Sequence, residues 1–408
     1  MRNFKTCLFA FCFFLSAKAP VFSQTYDIVI KGGHVIDPKN AINAPMDVAI
    51  GGGKILKVAK HIASETARQV VDARGLYVTP GLVDIHSHVS PDIRPGDPMP
   101  DVVTFRDGIT TTVDAGTSGW KTFDILKKNT IDRSQTRVLA FLNIVATGMK
   151  GKPEQDVNEM DAAKTAAFAK AHPDLIVGIK TAHFGGGWEA SRRAAAAARS
   201  ANVPLMVDFG EAHPPLSIDT LLLQVLRPGD IFTHCFAQLK SREFIVDTIT
   251  KKVKPFVWEA QKKGVIFDVG HGAASFAFSQ AIPALKEGFI PNSISTDRNH
   301  GGYNGALKDL LNVMSKFLNL GMDMPTLIKL TTSNPAHEIK HDELGNLTVG
   351  GVADVAVFSI QKGKYGFFDN TGYKITGDKK LECELTIRAG KIVYDLNGIA
   401  DPIVIRNN

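Results

Sequence analysis

The sequence predicts an α/β fold: a (β/α)8 TIM barrel with a small β-sandwich domain built from both chain ends. Eight short apolar runs recur between residues 82 and 297, roughly 26–37 residues apart, and helix-like segments follow most of them. Alternating apolar and polar runs flank this region on both sides. Buried strands that alternate with helices indicate a parallel sheet, and eight such units over about 250 residues are typical of the barrel.

The first 23 residues have the pattern of a secretory signal peptide. Arg2 and Lys5 precede an apolar run over residues 7–15, and small residues suited to cleavage follow before Gln24. We therefore expect residues 1–23 to be removed and the protein to be exported, either periplasmic or secreted. A short membrane anchor is the alternative, but the apolar run is too short to span a bilayer.

The β domain is predicted from residues 24–79 and 345–408 together. Alternating runs begin at Tyr26, Asp47 and Lys54, and glycines separate them, which indicates hairpins. The same pattern returns in the last 60 or so residues. Because the two ends of a chain often lie close together, one composite domain accounts for both segments.

The barrel is predicted over residues 80–344. An open, doubly wound sheet is the alternative, but no phosphate-binding glycine fingerprint follows the first strand, which weakens that interpretation. The eight strand-like runs begin at residues 82, 111, 138, 176, 205, 231, 265 and 293.

Composition and charge exclude several classes of protein. The 408 residues are 44% hydrophobic and 22% charged, which is ordinary for a globular protein and excludes whole-chain disorder or coiled coil. The formal net charge of +6 falls to about +3 without the signal, and no dense basic run is present, so nucleic acid is not an expected partner. We expect a small-molecule substrate and no stable membrane insertion after signal removal.

Cysteine usage argues against a disulfide framework. Outside the signal only Cys235 and Cys383 remain, far apart in the sequence. A single bridge between them is left open.

Polar residues at the ends of the predicted strands are the candidates for chemistry, because active sites of such barrels form at the carboxyl ends of the strands. His86 and His88 are two apart, so on an extended strand both point to one face and supply half of a zinc-type site. In chain order the candidates are His86, His88, Lys180, Asp208, His234, His271 and Asp297.

Each of these residues alone has an ordinary structural explanation. Asp297 could cap a helix, Lys180 could be solvated or paired, and His234 could be a hydrogen-bonded core histidine. Their joint placement at successive strand ends favours a metal site instead.

These residues resemble the amidohydrolase superfamily. Its most specific mark is Pro-Gly-Leu-Val-Asp-Ile-His-Ser-His over residues 80–88, and the likeness extends to the returning β segment at Gly350 to Asp354. Within the superfamily the chain is similar to the deacetylase-type, dihydroorotase-like branch. The motifs that carry this are Val-Asp-Ala-Gly at 113, Gly-Ile-Lys at 178, Arg-Pro-Gly-Asp-Ile-Phe-Thr-His-Cys-Phe at 227, Asp-Val-Gly-His-Gly at 268 and Ile-Ser-Thr-Asp at 294.

The resemblance implies a centre of two divalent metal ions, usually Zn²⁺. His86 and His88 would bind one metal with Asp297, a Lys180 carboxylated by carbon dioxide would bridge both, and a strand-five residue and His234 would hold the second. A metal-bridging hydroxide would attack the carbonyl, Asp297 would act as general base and acid, and His271 would bind the substrate. Burial beside cations favours the neutral lysine that captures carbon dioxide.

The chain departs from the family pattern at strand five, where the family places histidine and this chain has Asp208. A carboxylate can also bind zinc, and it makes Mn²⁺ or Fe²⁺ more plausible. His213, on the following loop, and His183, three residues past Lys180, are alternative ligands. Loss of the second metal is the remaining interpretation.

The sequence therefore predicts an exported deacetylase that hydrolyses an N-acyl amide or a small acyl ester. A cyclic-amide hydrolase of dihydroorotase type is the alternative enzyme. A catalytically inactive small-molecule-binding barrel is the alternative from another class, because fold does not guarantee function. Barrels of this kind often pair, so a homo-oligomer is compatible with the sequence.

Overall fold

A computed structural model of the chain describes residues 25–402. The predicted signal peptide, residues 1–23, lies outside this range. Within the described range, no helix combines the length and the apolar character that crossing a bilayer requires.

The two chain ends form one mixed sheet of eight strands. The strands are β1 Tyr26–Asp37, β2 Ile42–Gly51, β3 Lys54–Ala59, β4 Ala67–Asp72, β5 Tyr77–Pro80, β13 Val355–Phe368, β14 Lys374–Arg388 and β15 Lys391–Asp395. Their order in the sheet is β15-β14-β13-β5-β1-β2-β3, and β4 pairs with β1 beside this path. The junction is β5, which pairs parallel to β1 and antiparallel to β13.

This sheet folds over its own apolar face. Ile55 of β3 and Leu385 of β14 come from opposite ends of the strand order, yet their buried side chains belong to one apolar cluster. The backbone nitrogen of Ala353, just before β13, also donates at 2.9 Å to the carbonyl of Gly53, which lies between β2 and β3. The sheet thus forms the two facing layers expected of a β-sandwich.

The central region forms the parallel barrel that the sequence predicts. Seven strands pair in chain order: β6 Leu82–Ser87, β7 Ile109–Gly119, β8 Arg137–Asn143, β9 Ile176–Thr181, β10 Leu205–Val207, β11 Ile231–Phe232 and β12 Ile266–Phe267. All residues of β6, β7 and β9 are buried, as expected for parallel strands that are covered on both faces.

The eighth apolar run closes the barrel without forming a regular strand. Ser293 bridges Asp268 in parallel, and Arg298 bridges Ser87. The Asp297 nitrogen donates to the His86 carbonyl at 2.6 Å, so the run lies between the last and first strands. Asp297 has a φ of +47°, a left-handed conformation that breaks the ladder where the run ends.

Helices surround the barrel. They are α1 Pro100–Val103, α2 Phe123–Asn129, α3 Ala162–Ala171, α4 Glu189–Ala201, α5 Ile218–Thr220, α6 Pro255–Lys262, α7 Phe278–Lys286, α8 Leu310–Asn319, α9 Met324–Thr331 and α10 Ser333–Glu338. Short 3-10 helices cover Ser64–Thr66, Phe105–Asp107, Ile131–Arg133, Lys152–Gln155 and Val157–Glu159, and a π-helical turn covers Leu221–Val225. Asp309 caps α8, because its carboxylate accepts from the Asn312 nitrogen at 2.6 Å.

The long hairpin of β13 and β14 reaches from the β domain to the barrel. At its tip, the Asn370 side-chain oxygen accepts from the Phe276 nitrogen at 3.0 Å, and the Asp369 carboxylate accepts from the Phe278 nitrogen at 2.8 Å. The tip thus holds the loop that follows β12. Elsewhere in the described chain, Cys235 and Cys383 are buried and unpaired, so the bridge left open by the sequence does not form.

Candidate metal centre

Polar side chains converge at the carboxyl end of the barrel. His86 lies in β6, Lys180 lies in β9, and His234 and Asp297 follow β11 and the eighth run. Each of these four is at most 8% exposed. An imidazole, a carboxylate or an amine is costly to bury without a partner, so their concentration here needs a physical reason.

Three imidazoles surround the Asp297 carboxylate. Asp297 Oδ1 lies 3.2 Å from His88 Nε2 and 3.5 Å from His86 Nε2, and Asp297 Oδ2 lies 4.0 Å from His234 Nε2. One ligand atom each from His86, His234 and Asp297 can be chosen within 4.8 Å of one another. The structure therefore brings together residues that are up to 211 positions apart in the sequence.

These separations fit a divalent metal ion. Zinc bonds of about 2.0–2.2 Å at the tetrahedral angle place two ligand atoms about 3.4 Å apart. The distances from Asp297 Oδ1 to the two imidazoles of the His86–His88 pair bracket that value. Burial and the adjacent Lys180 lower the pKa of His86 to about 4, so its imidazole is neutral, the form that binds metals.

Electrostatics also favour an ionised Asp297. Burial would raise the pKa of this carboxyl, but the imidazoles of His86, His88 and His234 hold it below its ordinary value. An anionic oxygen donor thus lies at the centre of the imidazole group.

Lys180 lies beneath this group with its side chain fully buried. Its Nζ is 3.1 Å from His86 Nε2 and 3.6 Å from the sulfur of Met206. Burial lowers the pKa of the amine, which favours the neutral form that reacts with carbon dioxide. Gly116 leaves room for this side chain, since a Cβ there would lie 2.6 Å from Lys180 Cγ.

Asp208 follows β10 and faces two imidazoles across the mouth of the barrel. Its Oδ2 lies 3.3 Å from His234 Nε2 and 3.4 Å from His183 Nε2. Burial opposes ionisation of Asp208, but His234 and His183 hold its pKa well below the ordinary value. The position that departs from the family pattern therefore still offers an anionic oxygen to the centre.

His183 in turn has carboxylates on both sides. Burial would lower its pKa, but Asp208 and Glu154 raise it to about 10. The His183 imidazole is 44% exposed, and with its two more deeply buried carboxylates it forms an ion-paired group at the edge of the cavity.

In His86 and His88, the ring nitrogen that points away from Asp297 has a hydrogen-bond partner. His86 Nδ1 is 2.9 Å from the Thr233 hydroxyl, which donates to Asp268 at 2.7 Å. His88 Nδ1 is 2.8 Å from the Thr117 hydroxyl. Such partners fix the ring orientation of metal-binding histidines. Sequence reasoning missed them, because single threonines and a buried aspartate have no distinctive spacing.

His234 is oriented by backbone. Its Nδ1 is 2.5 Å from the Gly270 carbonyl, and His234 itself has a left-handed φ of +57°. Gly270 must be glycine for two reasons. Its φ is +44°, and a Cβ would lie 2.4 Å from the Thr233 hydroxyl and 3.0 Å from His86 Nδ1.

A cavity of about 290 Å³ opens above the centre. It is lined by His88, His183, Asp208, His234 and Asp297 from the centre, by Arg94 and Met149, and by the loops over residues 273–275 and 299–301. Its size suits a small molecule, and the converging polar side chains form its floor.

Two of the predicted site residues are placed differently. His271, expected to bind substrate, is fully buried, with Nδ1 3.0 Å from the Gly272 carbonyl and Nε2 2.6 Å from Lys316 Nζ. His213 is exposed. Within residues 25–402, neither of these two histidines lines the cavity. No sequence pattern linked Lys316 to His271, because the two are 45 residues apart.

Comparisons with known proteins give full-length relatives but no matching family model. A deacetylase of Enterococcus faecalis is 32% identical over 384 residues, which are 91% of this chain and 99% of that protein.

Two solved structures are similar along nearly their whole length. One described as an adenine deaminase has a TM-score of 0.81 at 31% identity, covering 91% of this chain and all of the other. One described as a dihydroorotase has a TM-score of 0.79 at 27% identity, covering 90% of this chain and 99% of the other.

Proposed function

This chain belongs to the amidohydrolase superfamily, and we propose that it is an exported deacetylase that hydrolyses an N-acyl amide or a small acyl ester. The observation that carries the proposal is the convergence of buried His86, His234 and Asp297 within 4.8 Å, at the floor of a cavity. The full-length likeness to a deacetylase supports the reaction class.

We assign the metal ligands as follows. His86, His88 and Asp297 would hold one ion, Asp208 and His234 would hold the other, and a carboxylated Lys180 would supply an anionic oxygen ligand. Zn²⁺ suits the imidazole ligands, and Mn²⁺ or Fe²⁺ is compatible with the added carboxylate. When bound, the ions would lower the pKa of a water molecule and polarise the substrate carbonyl.

The chain's own residues supply the proton transfers and the positioning. Asp297 is a carboxylate among three imidazoles and borders the cavity, so it can accept a proton and return it to the leaving group. Thr233 and Thr117 hold the His86 and His88 rings still, which keeps the donors preorganised. The cavity volume of about 290 Å³ suits a small acyl group.

A cyclic-amide substrate is the second candidate, because the structure described as a dihydroorotase shares the whole fold. A panel of N-acetylated amines, acetyl esters and lactams separates the two. We expect acetate release from the first two classes by the metal-loaded protein. Turnover of lactams alone would favour the alternative, and no turnover of any class would favour a binding protein.

The decisive variant is Asp297→Asn. We expect it to lose at least about 100-fold in kcat, the smaller end of what general acid–base catalysis contributes. Asp92→Asn, which changes an exposed aspartate in the segment after β6, is the matched control and should keep wild-type activity. Elemental analysis of both variants shows whether metal is retained. An active Asp297→Asn enzyme would refute the assigned role.

Export is proposed from the sequence pattern of residues 1–23 alone. Expression of the full chain in a Gram-negative host, followed by fractionation and mass analysis of the amino terminus, tests it. A mature chain that begins near Gln24 in the periplasm is expected. An uncleaved cytoplasmic chain would contradict the proposal.

A further inference from the structure

His183 has the geometry of a ligand although it lies on the loop after β9. Its Nε2 is 3.4 Å from Asp208 Oδ2, and His234 Nε2 is 3.3 Å from the same oxygen atom. Two imidazole nitrogens therefore face one carboxylate oxygen at about the separation that ligands of one tetrahedral ion have. His183 also lines the cavity with His234 and Asp208.

The other ring nitrogen of His183 is held by a buried carboxylate. Nδ1 is 3.0 Å from Glu154 Oε2, and Glu154 is only 5% exposed. Glu154 is fixed in turn, because its Oε1 accepts from the Gly151 nitrogen at 2.7 Å. A carboxylate on one imidazole nitrogen orients the ring so that the other nitrogen can bind a metal. Asp208 and Glu154 raise the pKa of His183 to about 10, so a metal ion would displace the proton on Nε2 when it binds.

The backbone around His183 keeps this orientation. His183 has a left-handed φ of +57°, which a non-glycine residue adopts at a cost. The Gln155 side chain donates to the His183 carbonyl and accepts from the Gly185 nitrogen at 2.9 Å. The segment that supplies Glu154 thus also fixes the loop that carries His183.

An ion pair of His183 with the two carboxylates is the competing explanation. An ion pair accounts for the contacts with Glu154 and Asp208. It does not require that His234 approach the same oxygen of Asp208 at the same distance, nor that the pair border the cavity beside Asp297.

We propose that His183 is a ligand of the second metal ion, together with Asp208 and His234, and that Glu154 is the residue that positions it. This inference rests on the metal centre of the proposed function. It gives the second site two imidazoles and a carboxylate, with one nitrogen supplied by the loop after β9.

Metal binding measured apart from activity tests the proposal. The mature protein is stripped with a chelator and titrated with Co²⁺ and with Zn²⁺ in bicarbonate, and metal per chain and the visible Co²⁺ spectrum are recorded. The variants are His183→Ala, His183→Gln and Glu154→Gln. His61→Ala, which removes an exposed histidine of the β domain, is the matched control.

We expect two ions per chain in the wild type and in His61→Ala. Both His183 variants should retain the first ion and bind the second at least about 10-fold more weakly, with a changed Co²⁺ spectrum. Glu154→Gln should bind both ions at saturation, with the second weakened about 10- to 100-fold. Circular dichroism verifies folding, and the Gln variant serves if the Ala variant does not fold.

Two results would overturn the inference. One is unchanged second-site affinity and spectrum in both His183 variants. The other is a wild type that binds only one ion. If that wild type still hydrolyses acyl substrates, the proposed function stands and only the role of His183 fails. A wild type with neither metal nor turnover would instead refute the proposed function.

Discussion

The stability of the protein should depend on pH through Lys316, which is buried behind the cavity wall. Its Nζ donates to His271 Nε2 at 2.6 Å and to the Ala306 carbonyl at 2.7 Å, and it lies 5.5 Å from the centre of the Phe276 ring. Burial lowers the pKa of this amine to about 7, from an ordinary value of 10.5. We therefore expect the native amine to lose its proton in a range where the unfolded chain keeps it.

The sign and size of the effect follow from proton linkage. Between pH 7 and pH 10.5 the unfolded chain binds more protons than the native one at Lys316, so the free energy of unfolding rises with pH in this window. From pH 7 to pH 9 the native amine goes from half protonated to almost fully neutral. At 1.36 kcal/mol for each pKa unit, this contributes about 2 kcal/mol.

The perturbation is Lys316→Met, which removes the amine and keeps a long apolar side chain. Urea unfolding at pH 7, 8 and 9, followed by circular dichroism, gives the free energy of unfolding of the wild type and the variant. We expect the variant to gain most relative to the wild type at pH 7 and to lose about 2 kcal/mol of that gain by pH 9.

Lys128→Met removes an exposed lysine and is the control. Its difference from the wild type should be the same at each pH. If the difference between Lys316→Met and the wild type is also constant from pH 7 to pH 9, the lysine is not buried as a low-pKa amine, and the reasoning is refuted.

Three further variants probe the supports of the site. Gly270→Ala places a Cβ 2.4 Å from the Thr233 hydroxyl, so metal affinity should fall at least about 10-fold in a titration. Unchanged affinity would mean that the loop moves to accommodate the Cβ without displacing the ligands. Asp268→Asn removes the charge that Thr233 donates to, and the metal should bind about 10- to 100-fold more weakly while the far-ultraviolet circular dichroism spectrum stays native. Asn370→Ala removes the acceptor of the Phe276 nitrogen, which should lower the free energy of unfolding by about 1–3 kcal/mol. The variant should also raise KM more than it lowers kcat. An unaltered KM would show that the hairpin tip does not shape the cavity.

The parts of the fold that could be predicted are those that depend on the pattern of residues close together in the sequence. Runs such as the one at Ile176 are apolar on both faces, and buried parallel strands require that. The His86–His88 pair was predictable because alternation on a strand places both rings on one face. The run at Ser293 was also predicted to be a strand, but the structure makes it a pair of isolated bridges.

The parts that sequence reasoning missed depend on contacts between distant residues. Glu154 and His183 are 29 residues apart, and Asn370 and Phe276 are 94 apart. Neither pair has a periodicity or a spacing that reports the contact. His271 shows the same dependence. Its place at a strand end predicts substrate binding, and only the packing of α8 shows that its Nε2 lies 2.6 Å from Lys316 Nζ.

The composite β sheet imposes an order on biosynthesis. β5 pairs with β1 soon after both are made, but its other edge stays open until Val355 arrives to pair with Pro80. The ribosome must therefore complete the entire barrel before the sheet can close. Until then the apolar face of β1 and β2 lacks the C-terminal part of its core, which leaves this segment exposed to aggregation and to chaperones.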